Sequence, residues 1–517
     1  MNSEARRRGT SRFTPRVIAP LLAAVAIYLT LALWIAHTKA PWCDEGWFAN
    51  PAYNLAFHGY MGSNVVEPSG FYLNTYLRGI HDRTYYVTPN HLVALAGWFR
   101  VFGFSLFSMR LYSILWGVVA LLALFYILYH LFPNPQVAQL AVLLLSVDFI
   151  FLWSAADGRM EAPANALALC ALAAYLYFRE QRFGTAVLVS QLFLAAAVFT
   201  HPNALLVGIV IPVLAWRDDR QRIRPAHLLL VAAPYVVFAA PWALYILQSP
   251  AGFKAQFFAN AAGRGSARWK VFLQPWRAVL DEGSRHLRVY LVSDVWSAEM
   301  NPWMGFVPFM YLGAIIWLFW NWKKRGTGMQ VLGICVATVL IALTFLNGLK
   351  LSMYLCYAVP FYDAILAAWL LALWQRRGDS GGLALVIGFA FVFLQVTTSV
   401  MHIRADEYGR DYLPAIHALE QDRAEGKTIV GTAALGFGLH FQGFADDWRL
   451  GLYSHLDPDV LVIDRSYRQF SRQFEKDEPL VFAHTTKILG SAYRPTHRYG
   501  SFWLYERVPA HSQVASP

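Results

Sequence analysis

Asp44 and Glu45 stand side by side in PWCDEGWFANPAYNLAFHG (41–59), among Trp42, Trp47 and Phe48. Adjacent residues of a helix do not share a face, so the two carboxylates are expected to have different tasks. An aromatic belt of this kind would hold them at headgroup level. The pair leaves room for a divalent cation, although no ligand spacing demands one. The plain alternative is two solvated loop acids.

A second group lies in SAADGRMEAPANALALCALAAYL (154–176), where Asp157, Arg159 and Glu161 fall at the mouth of two helices. A charge at the centre of a membrane helix costs about 2.5–3.5 kcal/mol, so such groups sit at ends or in wet cavities. They read either as a functional cluster with Asp44 or as a structural salt bridge from Arg159. THPN (200–203) puts His201 at the next mouth, as a binding residue or a satisfied polar contact. His91 and Arg110 bracket an amphipathic stretch, and Lys350 precedes MYLCYAVPFYDAILAA (353–368) with Tyr354 and Tyr357. Candidates from five segments thus gather at one membrane face. The basic loop 248–302, with Lys254, Arg264, Arg268, Lys270, Arg277, Arg285 and Arg288, suits a phosphate or anionic headgroups equally. GTAALGFG (431–438) lacks the Lys-Ser/Thr of a nucleotide loop, and no CxxC, HExxH or GxSxG pattern occurs.

The elements that must position these residues are membrane helices. Of 517 residues 57% are apolar and only 15% charged, against about 25% charged in soluble domains. VIAPLLAAVAIYLTLALWIA (17–36) follows Arg6, Arg7, Arg8, Arg12 and Arg16. No small-x-small site follows it, so an uncleaved first helix is expected rather than a signal peptide. Apolar runs place about eleven spans near 17–36, 110–131, 137–153, 162–178, 185–199, 204–215, 227–247, 303–321, 329–347, 352–373 and 383–401. The net charge of +11 does not point to nucleic acid, because the cations cluster in short loops between spans. With a cytoplasmic N-terminus, inside loops carry Arg179 and Arg182, then Arg217, Arg220, Arg222 and Arg224, then Lys323, Lys324 and Arg325, then Arg376 and Arg377.

That orientation places 37–109, 248–302, 348–351 and the tail outside. In the first of these, 88–103 has one apolar helical face and is expected to lie in the interface. The tail alternates a helix at 406–423 with strands at 428–432, 459–464 and 502–508. The expected organisation is therefore a mainly α, polytopic helix bundle over 1–401 and a small extracytoplasmic α/β domain over 402–517. The four cysteines give no disulfide framework.

CDEGWF, PNHLVALAGWFRVFGFSLFSMRLYSILWG (89–117), DGRME (157–161) and KLSMYLCYAVPFYDAILA (350–367), in this order, resemble the GT-C glycosyltransferases of the protein O-mannosyltransferase and lipid A aminoarabinose transferase type, a bacterial family 39-like group. The resemblance implies an enzyme of the bacterial inner membrane with a GT-C fold. It would transfer a sugar, with inversion, from a polyprenyl-phosphate donor to a hydroxyl of a protein, lipid or glycan acceptor outside. Asp44 would be the catalytic carboxylate, Glu45 a supporting acid or metal ligand, and Arg110, Arg159 or Lys350 would stabilise the leaving phosphate. His91, Asp157, Glu161, His201, Tyr354 and Tyr357 would complete donor and acceptor binding. No cofactor is required, apart from the open question of a divalent cation. The family's His-Pro-Pro element appears here as Thr88-Pro89-Asn90-His91, and the tail is no β-trefoil. A transporter or flippase of lipid-linked sugar, or a non-catalytic binder of it, stands as the alternative; charges at one face and the lack of a repeat weigh against transport.

Overall fold

The computed structural model describes residues 14–70, 77–258, 260, 272–291, 302–320, 322–324, 326–376 and 378–509. Arg264, Arg268 and Lys270 of the basic loop lie outside these. Among the described residues eight helices are long and apolar enough to cross a membrane: Pro15–Thr38, Leu106–Leu131, Glu161–Phe178, Phe183–Thr200, Ala226–Leu247, Pro302–Trp320, Thr327–Phe345 and Asp379–Ala424, the last apolar in its first part. Three of the eleven expected spans take another form. The run at 137–153 is Gln136–Val147 followed by Phe149–Ala155, bent by 64°. The run at 204–215 is two short helices, Leu205–Gly208 and Val210–Asp218. Pro212 has no N–H to give the Gly208 carbonyl, so the ladder breaks there. The run at 352–373 is a 3-10 segment, Ser352–Tyr357, and a helix of only 17 residues, Val359–Gln375. Pro360 leaves the Cys356 carbonyl without a helical donor, and Asn165 Nδ2 supplies one at 2.9 Å.

The bend at Asp148 has a comparable cause. Its backbone is extended, and its carboxylate caps the next helix by accepting from the Phe151 N–H at 2.9 Å. Tyr311 donates to the other carboxylate oxygen at 2.9 Å, as does Gln395 at 2.9 Å, and Tyr311 also touches Asp363 at 2.9 Å. A polar knot inside the bundle thus fixes the direction of Phe149–Ala155, which runs towards Asp157.

On one side of the bundle the chain builds a cap. Cys43–His58 forms a helix whose residues are mostly buried. Pro89–Phe102 is the expected amphipathic helix, with Pro89 in its first turn and His91, Leu92, Leu95, Ala96 and Phe99 buried on one face. Gly103, at φ 81°, ends it, and Ser105 starts Leu106–Leu131 by accepting from the Ser108 N–H at 3.0 Å. The tail adds a five-stranded sheet in the order β2-β1-β3-β5-β4, with β1 Ile429–Val430, β2 Phe444–Ala445, β3 Val460–Ile463, β4 Tyr493–Tyr499 and β5 Phe502–Arg507. β1, β3 and β5 match the expected strands. β2, β4 and the helices Arg465–Asp477 and Pro479–Ser491 were not foreseen.

The sheet does not stand apart from the cap. Trp47, Phe48, Leu95 and Phe99 share one core with Leu435, Phe441, Val460 and Leu504. Val66 bridges Asp446 in parallel, with the Asp446 N–H donating to the Val65 carbonyl at 2.7 Å. At the closest approach a Cβ on Gly46 would overlap the Ala433 carbonyl and the Ala434 nitrogen. Neither backbone can yield. Gly46→Val is therefore expected to loosen the tail from the cap, lowering stability by about 1–3 kcal/mol and exposing the segment around 425 to limited proteolysis.

Candidate active site

The site begins where the first span ends. Its last carbonyls have no intrahelical donors, and the side chain of Arg110, fully buried, reaches one of them and the two carbonyls just beyond the helix: Nη1 to Ala36 at 2.8 Å and Lys39 at 2.7 Å, and Nη2 to Ala40 at 3.1 Å. The same guanidinium grips Glu45 with two bonds of 2.7 Å. Glu45 in turn accepts from the Trp42 N–H at 2.9 Å and closes the start of the helix that carries Asp44. Arg110 and Glu45 thus satisfy each other and the chain turn between two helices. In this structure Arg110, expected among the phosphate ligands, and Glu45, expected as a supporting acid or metal ligand, are bound to each other.

Asp44 points elsewhere, to Arg159. That guanidinium pairs with Asp44 through Nη1 and holds Glu161 in a fork, at 3.1 and 2.8 Å. It lies 4.9 Å from the Trp42 ring centroid and 5.6 Å from that of Phe48. Gly158 makes the turn at φ 55°, and a Cβ there would meet Met109 at 2.9 Å and a Glu45 oxygen at 3.2 Å. Asp157 pairs with Lys39, whose ammonium sits 4.3 Å from the Trp153 ring centroid. Burial drives Asp157 up to about 6 and Lys39 down, both against the attraction between them. Of the four carboxylates, Asp44 is 34% exposed and the other three at most 1%. Asp44 is the one that an incoming molecule can reach.

A second group flanks the first. His201 lies 3.3 Å from the Tyr357 hydroxyl and accepts from the Asn203 N–H at 3.2 Å, with the Tyr354 ring centroid 5.7 Å away. Ser352 and Met353 share a small cavity with Asp157, Arg159 and Glu161. Lys350 is not in this group. Its ammonium binds Glu282 at 3.0 Å and the Leu343 and Thr344 carbonyls at 2.7 Å each, and Glu282 also pairs with Arg285. It ties the basic loop to a helix end.

His91 packs edge-on against Phe48 at 5.8 Å and near Tyr112 at 6.0 Å. Neither ring nitrogen completes a hydrogen bond of good geometry, the Gly158 backbone being the polar group beside it. Burial holds its pKa down to about 4 despite Glu161 nearby. Beyond His91 opens a larger cavity of about 1110 Å³, lined by Val93, Ala94, Tyr112, Leu167, Phe238 and Trp242, with Asp82 and Arg83 at a polar end. Its wall residue Tyr112 neighbours His91, which in turn lies near Glu161 and Arg159.

Residues 87–245 match a protein-family model described as dolichyl-phosphate-mannose-protein mannosyltransferase. No curated protein matches the chain at a significant level. Among solved structures, ArnT from Cupriavidus metallidurans bound to undecaprenyl phosphate is similar with a TM-score of 0.61 at 16% identity, over 98% of this chain and 100% of that one. The oligosaccharyltransferase AglB from Archaeoglobus fulgidus, in complex with an inhibitory peptide and a dolichol-phosphate, is similar with a TM-score of 0.54 at 13% identity, over 98% of this chain and 75% of that one. The chain has the GT-C glycosyltransferase fold.

On this GT-C frame the acids Asp44, Glu45, Asp157 and Glu161 and the cations Arg110 and Arg159 come together as one network, with Lys39 as an unforeseen member. Lys39 was legible only as a cation ending a span, which reads as a topology signal. Asp44 and Glu45 diverge to different arginines, and among the described residues no group of three or more His, Cys, Asp or Glu could hold a metal ion.

Two outcomes follow for stability. Arg110→Met leaves Glu45 buried without its cation and is expected to lower stability by about 3–5 kcal/mol, with Glu45→Met in the same chain restoring a large part of it, as thermal unfolding in detergent would show. For His91, the unfolded chain takes up a proton below about 6.5 that the folded chain refuses until about 4, so wild-type stability falls as pH drops through that window. His91→Leu is expected to remove that His91 contribution to the slope of unfolding temperature against pH and to match or exceed wild type at pH 5.

Proposed function

We propose that the protein is an inverting glycosyltransferase that takes a sugar from a polyprenyl-phosphate donor at the outer face of a bacterial inner membrane. The observation that carries this is the one carboxylate of the cluster with substantial exposure, Asp44, held by Arg159, together with a large mostly apolar cavity whose wall residue Tyr112 neighbours His91 beside that cluster. A cavity walled by Val93, Leu167, Phe238 and Trp242 suits an isoprenoid chain, and Arg83 suits the phosphate entering at its end. The similarity to structures holding undecaprenyl phosphate and dolichol-phosphate supports the same class of donor.

In the proposed reaction the acceptor hydroxyl attacks the anomeric carbon while Asp44 takes its proton. The bond from that carbon to the phosphate oxygen breaks, and its electron pair leaves with the lipid phosphate. The phosphate is already a good leaving group, so it needs a cation rather than an acid. Arg159 is the guanidinium at the reacting carboxylate. Arg110 and Lys350 are committed to chain carbonyls and to buried acids. A base held this close to its target contributes mainly by its position. Donor at one face and acceptor above it is consistent with a cytoplasmic N-terminus and an extracytoplasmic tail.

The test uses purified protein in nanodiscs, radiolabelled polyprenyl-phosphate sugars and candidate acceptors. Asp44→Asn is expected to fold normally and lose transfer by about 10²–10⁴-fold. Equal transfer by the two proteins would reject Asp44 as the base, and tight donor binding with no transfer under any acceptor would favour a carrier of lipid-linked sugar. Ala94→Trp, at an exposed position in the groove wall, is expected to raise the donor KM with little change in kcat.

A further inference from the structure

The tail contains a cavity that the reaction above does not use. It has a volume of about 250 Å³ and lies between the helix Arg465–Asp477 and the strand Phe502–Arg507, with Trp448, Trp503 and Tyr505 in its walls and Ser471 and Thr485 among the polar lining. Arg468 and Arg472 line it as well. Arg498 pairs across the strands with Trp503, and the Trp503 ring centroid lies 5.3 Å from the Arg468 guanidinium and 4.7 Å from that of Arg498. Trp503 Nε1 is buried and makes no hydrogen bond.

The charge at this place is unbalanced. Arg468 donates to the Ile463 and Ser501 carbonyls, and neither it nor Arg472 nor Arg498 has a carboxylate within 4 Å among the described residues. The nearby acids are Asp464, which caps the helix and accepts from Thr432, Asp411, which accepts from the Ser501 N–H at 2.9 Å, and Glu407, which is paired with Arg465 at 2.9 Å. Burial lowers the Arg468 pKa, opposed by Asp464 and reinforced by Arg465, Arg498 and Arg472. Asp464 offsets part of the Arg468 charge, but Arg472 and Arg498 have no paired carboxylate among the described residues, and an anion entering beside the three guanidiniums relieves their repulsion. Indole and phenol rings beside hydroxyls and arginines match the apolar face, the hydroxyls and the charge of an acidic sugar.

We propose that this cavity binds an anionic saccharide, a sugar ring bearing a carboxylate or phosphate, as part of the acceptor. The word acceptor rests on the glycosyltransferase reading; the binding does not. The cavity is coupled to the reaction centre through its floor. Trp448 lies 5.7 Å from Trp47, three residues after Asp44, and Tyr467 bonds at 3.1 Å to Asp446, which accepts from Trp47 Nε1 at 2.9 Å. A ligand seated there presses on the side chains that hold the catalytic helix.

The experiment is calorimetric titration of the full chain in zwitterionic nanodiscs with trigalacturonic acid, glucose 6-phosphate, maltotriose and inorganic phosphate. An acidic saccharide is expected to bind, maltotriose to bind at least about tenfold more weakly, and Arg472→Gln with Arg498→Gln to weaken the acidic ligand by about tenfold or more. Both changes are at exposed positions. Asp44→Asn is expected to bind as wild type does, so a failed transfer assay and a failed binding assay are separate results. The proposal falls if no acidic saccharide binds, if the double variant binds equally well, or if inorganic phosphate binds as tightly as the sugars. It also falls if the patch captures phosphatidylglycerol vesicles and no acidic saccharide displaces them, which would make it a headgroup contact.

Discussion

Everything at the reaction centre depends on one guanidinium with no exposure to water. Where the first span stops, its terminal carbonyls need donors, and at this depth there is little solvent to supply them. Arg110 supplies three bonds to Ala36, Lys39 and Ala40 and uses its remaining donors on Glu45. The positive charge is thereby matched inside the protein, and two carbonyls of the link between residues 38 and 43 are held by the same side chain. The helix that follows has nowhere else to start. Asp44 is placed by this turn and by its contact with Arg159, and it keeps part of its exposure while Glu45 has none.

The cap and tail then fix the far side of the same helix. Gly46 presses against the Ala433 backbone, and Trp47 donates to Asp446 at 2.9 Å while its ring meets Tyr86 and Trp448. Asp446 also accepts from the Ala433 N–H and the Tyr467 hydroxyl, so one buried carboxylate joins the helix to three parts of the tail. The helix that carries Asp44 is therefore clamped from membrane and tail at once. Such double support is what precise placement of a base demands, since a displacement of about 1 Å can cost about 100-fold in rate.

The bundle, the interfacial helix and the acidic cluster were legible because each rests on a local signal: long apolar runs, a Pro-to-Gly stretch with one apolar face, and charges where charges are costly. The kinks were less legible. A span such as 137–153 reads as continuous by hydropathy, and only Asp148, itself a charge inside an apolar run, marked the bend. The separate roles of Asp44 and Glu45 followed from their adjacency, but which acid kept its exposure depended on Arg110, 65 residues away from Glu45. Lys350 is ambiguous for the same reason: a lone cation near a membrane face looks alike in sequence whether it serves a ligand or, as here, the Leu343 and Thr344 carbonyls. β2 and β4 were hidden because β2 is two residues long and β4 is a polar edge strand with Pro495 beside a register shift.

The pairing of Asp44 with Arg159 bears on how the proposed reaction would proceed. Arg159 holds Glu161 by two bonds and Asp44 by one, so losing the Asp44 contact leaves it still anchored. As Asp44 accepts a proton its charge disappears, and the attraction to Arg159 goes with it. Negative charge grows on the departing phosphate at the same stage. A guanidinium tethered to Glu161 and flanked by Trp42 and Phe48 can then follow the charge from base to leaving group without leaving its pocket. The resting ion pair is thus compatible with catalysis, because the proton transfer that ends it is the step that frees the cation.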